Sequence, residues 1–279
     1  MKHREGRFKG KKDIEIYWQS WVPDRPRAVV VLVHGLGEHS GRYRHVADAL
    51  VGIDCAVYAM DHRGHGKSGG PRALIDRFGN AVEDIDHVLE IARREQPRKP
   101  VFLLGHSMGG ALSLSYAIKK GEKLSALILS GPAVALDGAS TMTKVVAKML
   151  SSLAPKAGLV AIDPSFVSRD PAVVADYAQD PLNAHGKVGA RTLGEIVFFV
   201  EMLPAALPLI KLPLLVMHGR DDKLAGVAGS EMVVRMVSSK DKTLKVYDGL
   251  YHEIFNELPA DRAIVLKDLT DWISERVPK

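Results

Sequence analysis

The feature that most constrains this chain is a repeated alternation of short β-branched apolar runs with longer amphipathic stretches. Runs at Ile14–Val22, Ala28–Val33, Ala56–Asp61, Val101–Gly105, Ala126–Leu129, Leu214–His218 and Leu244–Tyr247 are bounded by turn residues and read as strands. From Ala28 onward most are followed by helical periodicity: Tyr43–Leu50, Ala81–Arg94, Gly109–Lys119 and Ala260–Val277. In Ala81–Arg94 the apolar positions Val82, Ile85, Val88, Leu89, Ile91 and Ala92 make one stripe. Strands that are apolar throughout must be covered on both faces. The expected fold is therefore α/β, a mostly parallel twisted sheet between two layers of helix.

The alternation stops between Gly131-Pro132 and about Leu209. Apolar spacing at Val145, Val146, Met149, Leu150 and Leu153, and again at Ile196–Val200, is helical. Such a segment is too long for an ordinary loop. The expected division is a core of residues 1–132 and 209–279 with a helical cap over 133–208. The apolar faces of this insertion exceed what a two-helix hairpin buries on itself, so part is expected to line an acyl tunnel or meet a lipid surface.

One motif carries chemistry. Gly105-His106-Ser107-Met108-Gly109 fits G-x-S-x-G and lies between the apolar run Val101–Leu104 and the helical pattern that follows. Flanking glycines permit the strained turn that lifts a serine hydroxyl above a sheet, and a helix N-terminus behind it favours negative charge. A serine needs a histidine to take its proton and a carboxylate to hold that histidine's tautomer. In this topology the acid and then the histidine follow the serine, each just after a strand. Asp222 follows Leu214–His218 and His252 follows Leu244–Tyr247, so both have the required order and place. Asp221 reads as a loop or solvated residue, His218 as structural, and His185 lacks a strand to position it. An oxyanion hole is expected where Ala28–Val33 ends in His34-Gly35-Leu36-Gly37, with the amides of Leu36 and Met108 as donors.

Other classes fall away. Gly64-His65-Gly66-Lys67-Ser68 lacks the first glycine of a phosphate loop, since Asp61 stands there, and Gly35-Leu36-Gly37 lacks the third glycine of a dinucleotide fingerprint, since Ser40 stands there. His62, His65 and His106 have no second cluster with metal-ligand spacing, so no cofactor and no metal are expected. The net charge is +5, but residues 1–12 hold six basic side chains against Glu5, leaving 32 basic and 32 acidic elsewhere. That tail reads as a solvated terminus, and no nucleic-acid partner is expected. The apolar stretch Ile196–Met217 is interrupted by Glu201, Lys211, Pro204, Pro208 and Pro213, which argues against a membrane span. The first residues show no apolar run after their positive charge, so a cytoplasmic address is the default, with peripheral contact to a lipid surface left open by the insertion. The single cysteine, Cys55, lies in an apolar run and reads as a core residue.

With these residues in view, the chain resembles the α/β-hydrolase superfamily and, within it, the monoacylglycerol lipase and lysophospholipase group. The resemblance rests on His34-Gly35-Leu36-Gly37-Glu38-His39-Ser40-Gly41-Arg42-Tyr43, Asp61 to Ser68, Gly105 to Gly110, Ser168-Arg169-Asp170-Pro171, Asp180-Pro181-Leu182, Lys242 to Tyr247 and Tyr251-His252-Glu253. It implies Ser107 as nucleophile, Asp222 as acid, His252 as base and a cap in the insertion. It also implies polar contacts to a glycerol moiety at Glu38, Arg42 and Tyr177, and hydrolysis of a small-molecule lipid ester. Two positions depart from mammalian relatives: Ala225 replaces a cysteine three residues after the acid, and Phe255 a histidine three after the base. A lysophospholipase or thioesterase would use the same machinery. A proline-type aminopeptidase is disfavoured by the absent H-G-G-P-G turn, and a silent binding protein would not need an intact triad. Residue patterns leave acyl length and oligomeric state open.

Overall fold

A computed structural model describes residues 1–135 and 141–277. The chain opens with β1 (Lys2–Lys9) and β2 (Glu15–Val22), then β3 (Ala28–Val33), α1 (Arg44–Val51), β4 (Cys55–Met60), α2 (Phe78–Glu95), β5 (Val101–His106), α3 (Met108–Lys120) and β6 (Ala126–Ser130). After β6 come α4 (Thr141–Leu153), β7 (Gly158–Ala161), α5 (Pro171–Gln179), β8 (Lys187–Gly189) and α6 (Ala190–Ala206). The chain then resumes the sheet with β9 (Leu214–Gly219), α7 (Val227–Met236), β10 (Lys242–Tyr247) and α8 (Pro259–Ser274).

Eight strands form one sheet in the order β1-β2-β4-β3-β5-β6-β9-β10, antiparallel at β1 and β2 and parallel from β4 to β10. Alternation within β3 explains the two layers. Val29, Val31 and Val33 pack with α2 and α3, whereas Val30 and Leu32 pack with α1 and α8 on the other face. Cys55 is fully buried in that second layer. Because the parallel strands all point one way, the loops after β3, β5, β9 and β10 gather at their carboxyl edge, where open α/β sheets hold their ligands.

Two readings of the sequence need correction. Residues 2–9 are not a loose tail but an antiparallel edge strand, paired from Lys2 opposite Val22 to Lys9 opposite Glu15. Its pairing is through the backbone, while its mainly basic side chains stay largely exposed, as suits a sheet edge that must not recruit another strand. Pro204, taken as a break, lies inside α6, which continues through a 3-10 turn at Leu207–Leu209. Residues 190–209 are consequently the one stretch, among those described, long and apolar enough to cross a membrane by length and composition. Here α6 packs against α4 and, through Ile196 and Leu203, onto the core. The insertion also contains a two-stranded sheet of β7 and β8, which its helical spacing did not announce.

Candidate active site

Ser107 occupies the turn between β5 and α3 at φ 52° and ψ −120°, a left-handed conformation that a non-glycine residue adopts at a cost of order 1–3 kcal/mol. The neighbours make that turn possible. A Cβ on Gly105 would lie 2.4 Å from the Gly109 carbonyl oxygen, and one on Gly109 would lie 2.2 Å from that of Val33. Only glycine fits where α3 runs this close to β3 and β5. The Ser107 carbonyl accepts the amides of Ala111 and Ala133, and its own amide donates to Ser130, so the strained residue is held on three sides.

His252 and Asp222 come together from the loops after β10 and β9, with Nδ1 donating to Oδ2 at 2.6 Å. The Asp222 side chain is buried, and its Oδ1 accepts the amides of Leu224 and Ala225. Burial alone would raise its pKa, but the His252 charge, His218 and His252 hydrogen bonds and the Ala225 amide hold it well below the usual carboxylate range. Burial likewise works against protonated His252, yet the Asp222 carboxylate and its hydrogen bond outweigh that and hold the imidazole above its ordinary value. Such a pair keeps Nδ1 protonated and turns Nε2 into the proton acceptor. Asp221, its neighbour, is exposed and donates its amide to the Leu250 carbonyl. His185 is exposed in the insertion, its ring on the Asp180 carbonyl.

The turn after β3 faces Ser107. Among the described residues, no acceptor meets the amides of Leu36 or Met108. His34, missed as a contributor by the sequence reading, donates from Nδ1 to the Gly35 carbonyl at 2.7 Å and accepts the His62 amide at Nε2. In a planar peptide the carbonyl and the next amide point opposite ways, so this bond also fixes the direction of the Leu36 N–H. Burial holds His34 neutral, well below its ordinary pKa, and lowers its neighbours His62 to about 3 and His65 to about 4. His106, lowered by burial to about 3, packs its ring 4.7 Å from that of His252.

Beside the serine, Glu38, Arg42 and Glu253 form a buried charged network. Arg42 donates two bonds to Glu253, at 2.6 and 2.7 Å, and one to Glu38 at 2.8 Å. Glu38 also accepts the Gly35 amide and the Tyr43 hydroxyl. The two carboxylates diverge: burial and the Glu253 charge raise Glu38 despite Arg42, whereas for Glu253 the Arg42 charge and bonds overcome burial and lower it. Arg42 itself, named from the sequence as a substrate contact, does not reach the cavity wall. Its guanidinium is taken up by the two carboxylates and stacks 4.8 Å from the Tyr177 ring. Tyr177 and Glu38 do line the cavity, as does Glu253, which sequence spacing alone could not single out.

That cavity has a volume of about 220 Å³ and brings Ser107, His252, Leu36 and Met108 together. Its other walls are largely apolar: Val160, Ile162, Val188, Leu193 and Ile196 from the insertion, and Leu224 from the loop after β9. Among the described residues no lysine or arginine lines it. A larger cleft of about 540 Å³ on the far side of Arg42, bordered by His39, His45, Asp176 and Arg262, holds no nucleophile. Among the described residues no group of His, Cys, Asp and Glu is arranged to hold a metal ion.

Known proteins share both sequence and shape with this chain. The family model described as "Serine aminopeptidase, S33" matches residues 24–259. A monoacylglycerol lipase of Mycolicibacterium smegmatis is 45% identical over 96% of both chains, and a monoglyceride lipase of Rattus norvegicus is 36% identical over 94% of this chain and 88% of its own. Among solved structures, a monoacylglycerol lipase of Paleococcus ferrophilus aligns with a TM-score of 0.84 at 30% identity, covering 99% of this chain and all of that one.

Proposed function

The chain belongs to the serine aminopeptidase S33 family of α/β-hydrolases and, within it, to the monoacylglycerol lipase group of carboxylic ester hydrolases, and from that membership we propose that it cleaves monoacylglycerols to a fatty acid and glycerol. The observation that carries the proposal is an Asp222–His252 pair beside Ser107, opening on an apolar cavity whose ionisable lining, among the described residues, is Glu38, Glu253, His106, His252 and Tyr177, without a lysine or arginine. Ser107 Oγ attacks the ester carbonyl while His252 Nε2 takes its proton. The amides of Leu36 and Met108 hold the resulting oxyanion. Collapse breaks the bond to the glycerol oxygen, which leaves with the proton from His252. Water, deprotonated by the same Nε2, then attacks the acyl-serine, and fatty acid departs as Ser107 recovers its proton. No cofactor enters these steps.

The cavity chemistry also bears on the head group. Glu38, Glu253 and Tyr177 present oxygens that suit neutral hydroxyls, and a phosphodiester would meet carboxylates with no cation to balance it. Arg42, one guanidinium shared by the two carboxyls from behind, does not reach the cavity, so the wall keeps its acidic character. Residues 133–208 act as a cap that shapes the acyl site. The exposed side chains Met149, Leu153, Phe198 and Met202 on its outer face supply a peripheral contact with a lipid surface, in keeping with a cytoplasmic enzyme. A panel of oleoyl esters, an oleoyl thioester and a peptide-like anilide tests the reading. Turnover of 1-oleoylglycerol should exceed that of lysophosphatidylcholine, oleoyl-CoA and a prolyl anilide by tenfold or more. Faster turnover of any of the other three would replace the proposed substrate.

A further inference from the structure

His218 is the penultimate residue of the buried strand β9, just before the turn that leads to Asp222. Its ring is fully buried and meets three partners. Nε2 lies 2.7 Å from the Ala225 carbonyl and 3.1 Å from Asp222 Oδ2, the same oxygen that His252 Nδ1 meets. A carbonyl and an ionised carboxylate only accept, so Nε2 carries the proton. Nδ1 lies 2.6 Å from Ser230 Oγ and accepts from that hydroxyl. Every polar atom of the imidazole is thereby assigned.

The arrangement exceeds what packing requires. Asp222 Oδ1 is already fixed by two amides, but a carboxylate held at one oxygen can still rotate about its last bond. Among the described residues, the only donor other than His252 that reaches Oδ2 is His218. We propose that His218, oriented by Ser230, is a positioning residue for the triad acid, its Nε2–H keeping Asp222 Oδ2 in line with His252 Nδ1. Ser230 comes from α7 and Asp222 from the loop before it, so the helix and the catalytic loop are tied through one ring. The inference rests on Asp222 being the triad acid.

His218→Leu, His218→Gln and Ser230→Ala, each with Asp222→Asn as a background, form the test, read as kcat and KM on a soluble ester alongside the melting temperature. His218→Leu should lower kcat about tenfold or more with KM within about twofold, the loss expected when a hydrogen bond to a charged catalytic group is removed. His218→Gln, whose amide can supply an N–H to Oδ2, should recover most of it, and Ser230→Ala should fall between them. In the Asp222→Asn background His218→Leu should add no further loss, because the group it positions is gone. Full kcat in His218→Leu with Asp222→Asn inactive would overturn the role of His218 alone. Active Asp222→Asn would overturn the triad reading beneath it. A loss that glutamine does not rescue, or that adds to Asp222→Asn, would make the ring a packing element. Should His218→Leu fail to fold, unchanged kcat in a folded Ser230→Ala/His218→Asn double variant would overturn the inference, since His218→Gln is itself expected to keep most of the activity.

Discussion

The two walls of the catalytic cavity are built on opposite terms. On the sheet side, the side chains of Asp222, Glu253 and His252 are at most 7% exposed, and each is hydrogen-bonded to groups on another loop or element. On the cap side, α4 and α6 pack inward through Ala147, Ile196 and Val197 and leave Met142, Val145, Met149, Leu153, Phe198 and Met202 exposed at 48–76%. Reacting atoms need fixed geometry, and loops only a few residues beyond buried strands inherit it. A surface that meets lipid needs apolar area without a fixed partner. The contrast teaches that chemistry is assigned to the sheet edge, and we propose delivery of the acyl chain as the part played by the cap.

The largest effect should come from breaking the sheet side. Ser107→Ala should lower kcat by at least about 10⁴ while melting at or above the wild-type temperature, because the hydroxyl contributes little packing and the strained turn remains. Purified variant assayed beside a melting curve checks both halves. Asp222→Asn should cost on the order of 10⁴ through the wrong imidazole tautomer, and the exposed Asp221→Asn no more than about twofold. The reverse ranking would reassign the acid.

Breaking the cap side should leave chemistry intact. Met149→Ser with Leu153→Ser and Met202→Ser removes apolar groups already 57, 76 and 69% exposed, so the melting temperature should hold. Binding to lipid vesicles should weaken by about tenfold or more, since each buried side chain of this size contributes roughly 1.5–3 kcal/mol. Turnover of a soluble short-chain ester should not change. An equal loss on soluble and vesicle-borne substrate would erase the distinction between the two walls.

The smallest effect is on pH. His252 must be neutral to accept the serine proton, and Asp222 and Glu253 favour its charged form against burial. A base with a raised pKa stays protonated to higher pH, so the acidic limb of kcat/KM should have its midpoint above the ordinary histidine value of about 6.5. A midpoint below that value in the rate profile would mean that burial outweighs the carboxylates.

The central sheet was legible because β3 to β6 and β9 are buried on both faces and therefore largely apolar, as Val29 to Val33 show, whereas β10, only partly buried, was legible from Leu244, Val246 and Tyr247. Strand ends differed by only one or two residues, and Ser107, Asp222 and His252 could be named since each follows such an end. β1 was not legible because Lys2, Arg4 and Lys9 give it no apolar face, and its place depends on the β2 backbone. Short β7 and β8 offered no period to read. Arg42 shows a different limit. Its motif context pointed at the substrate, but its charge is consumed by Glu253, 211 positions away, a pairing that only folding creates. His218 offered a signal of that kind too, a histidine ending an otherwise apolar strand, which the reading passed over as structural.

We propose that the cavity takes one acyl chain under the cap and a small neutral head beside Glu38 and Glu253. Initial rates on matched mono-, di- and trioleoylglycerol, dispersed identically, test that most directly. Monooleoylglycerol should be hydrolysed strongly in preference, with both 1- and 2-isomers accepted, because the polar wall of Glu38, Glu253 and Tyr177 suits free glycerol hydroxyls and not a second acyl chain. Trioleoylglycerol turnover comparable to that of monooleoylglycerol would mean that the cap opens to admit several chains, and the cavity described here would not be the one that selects the substrate.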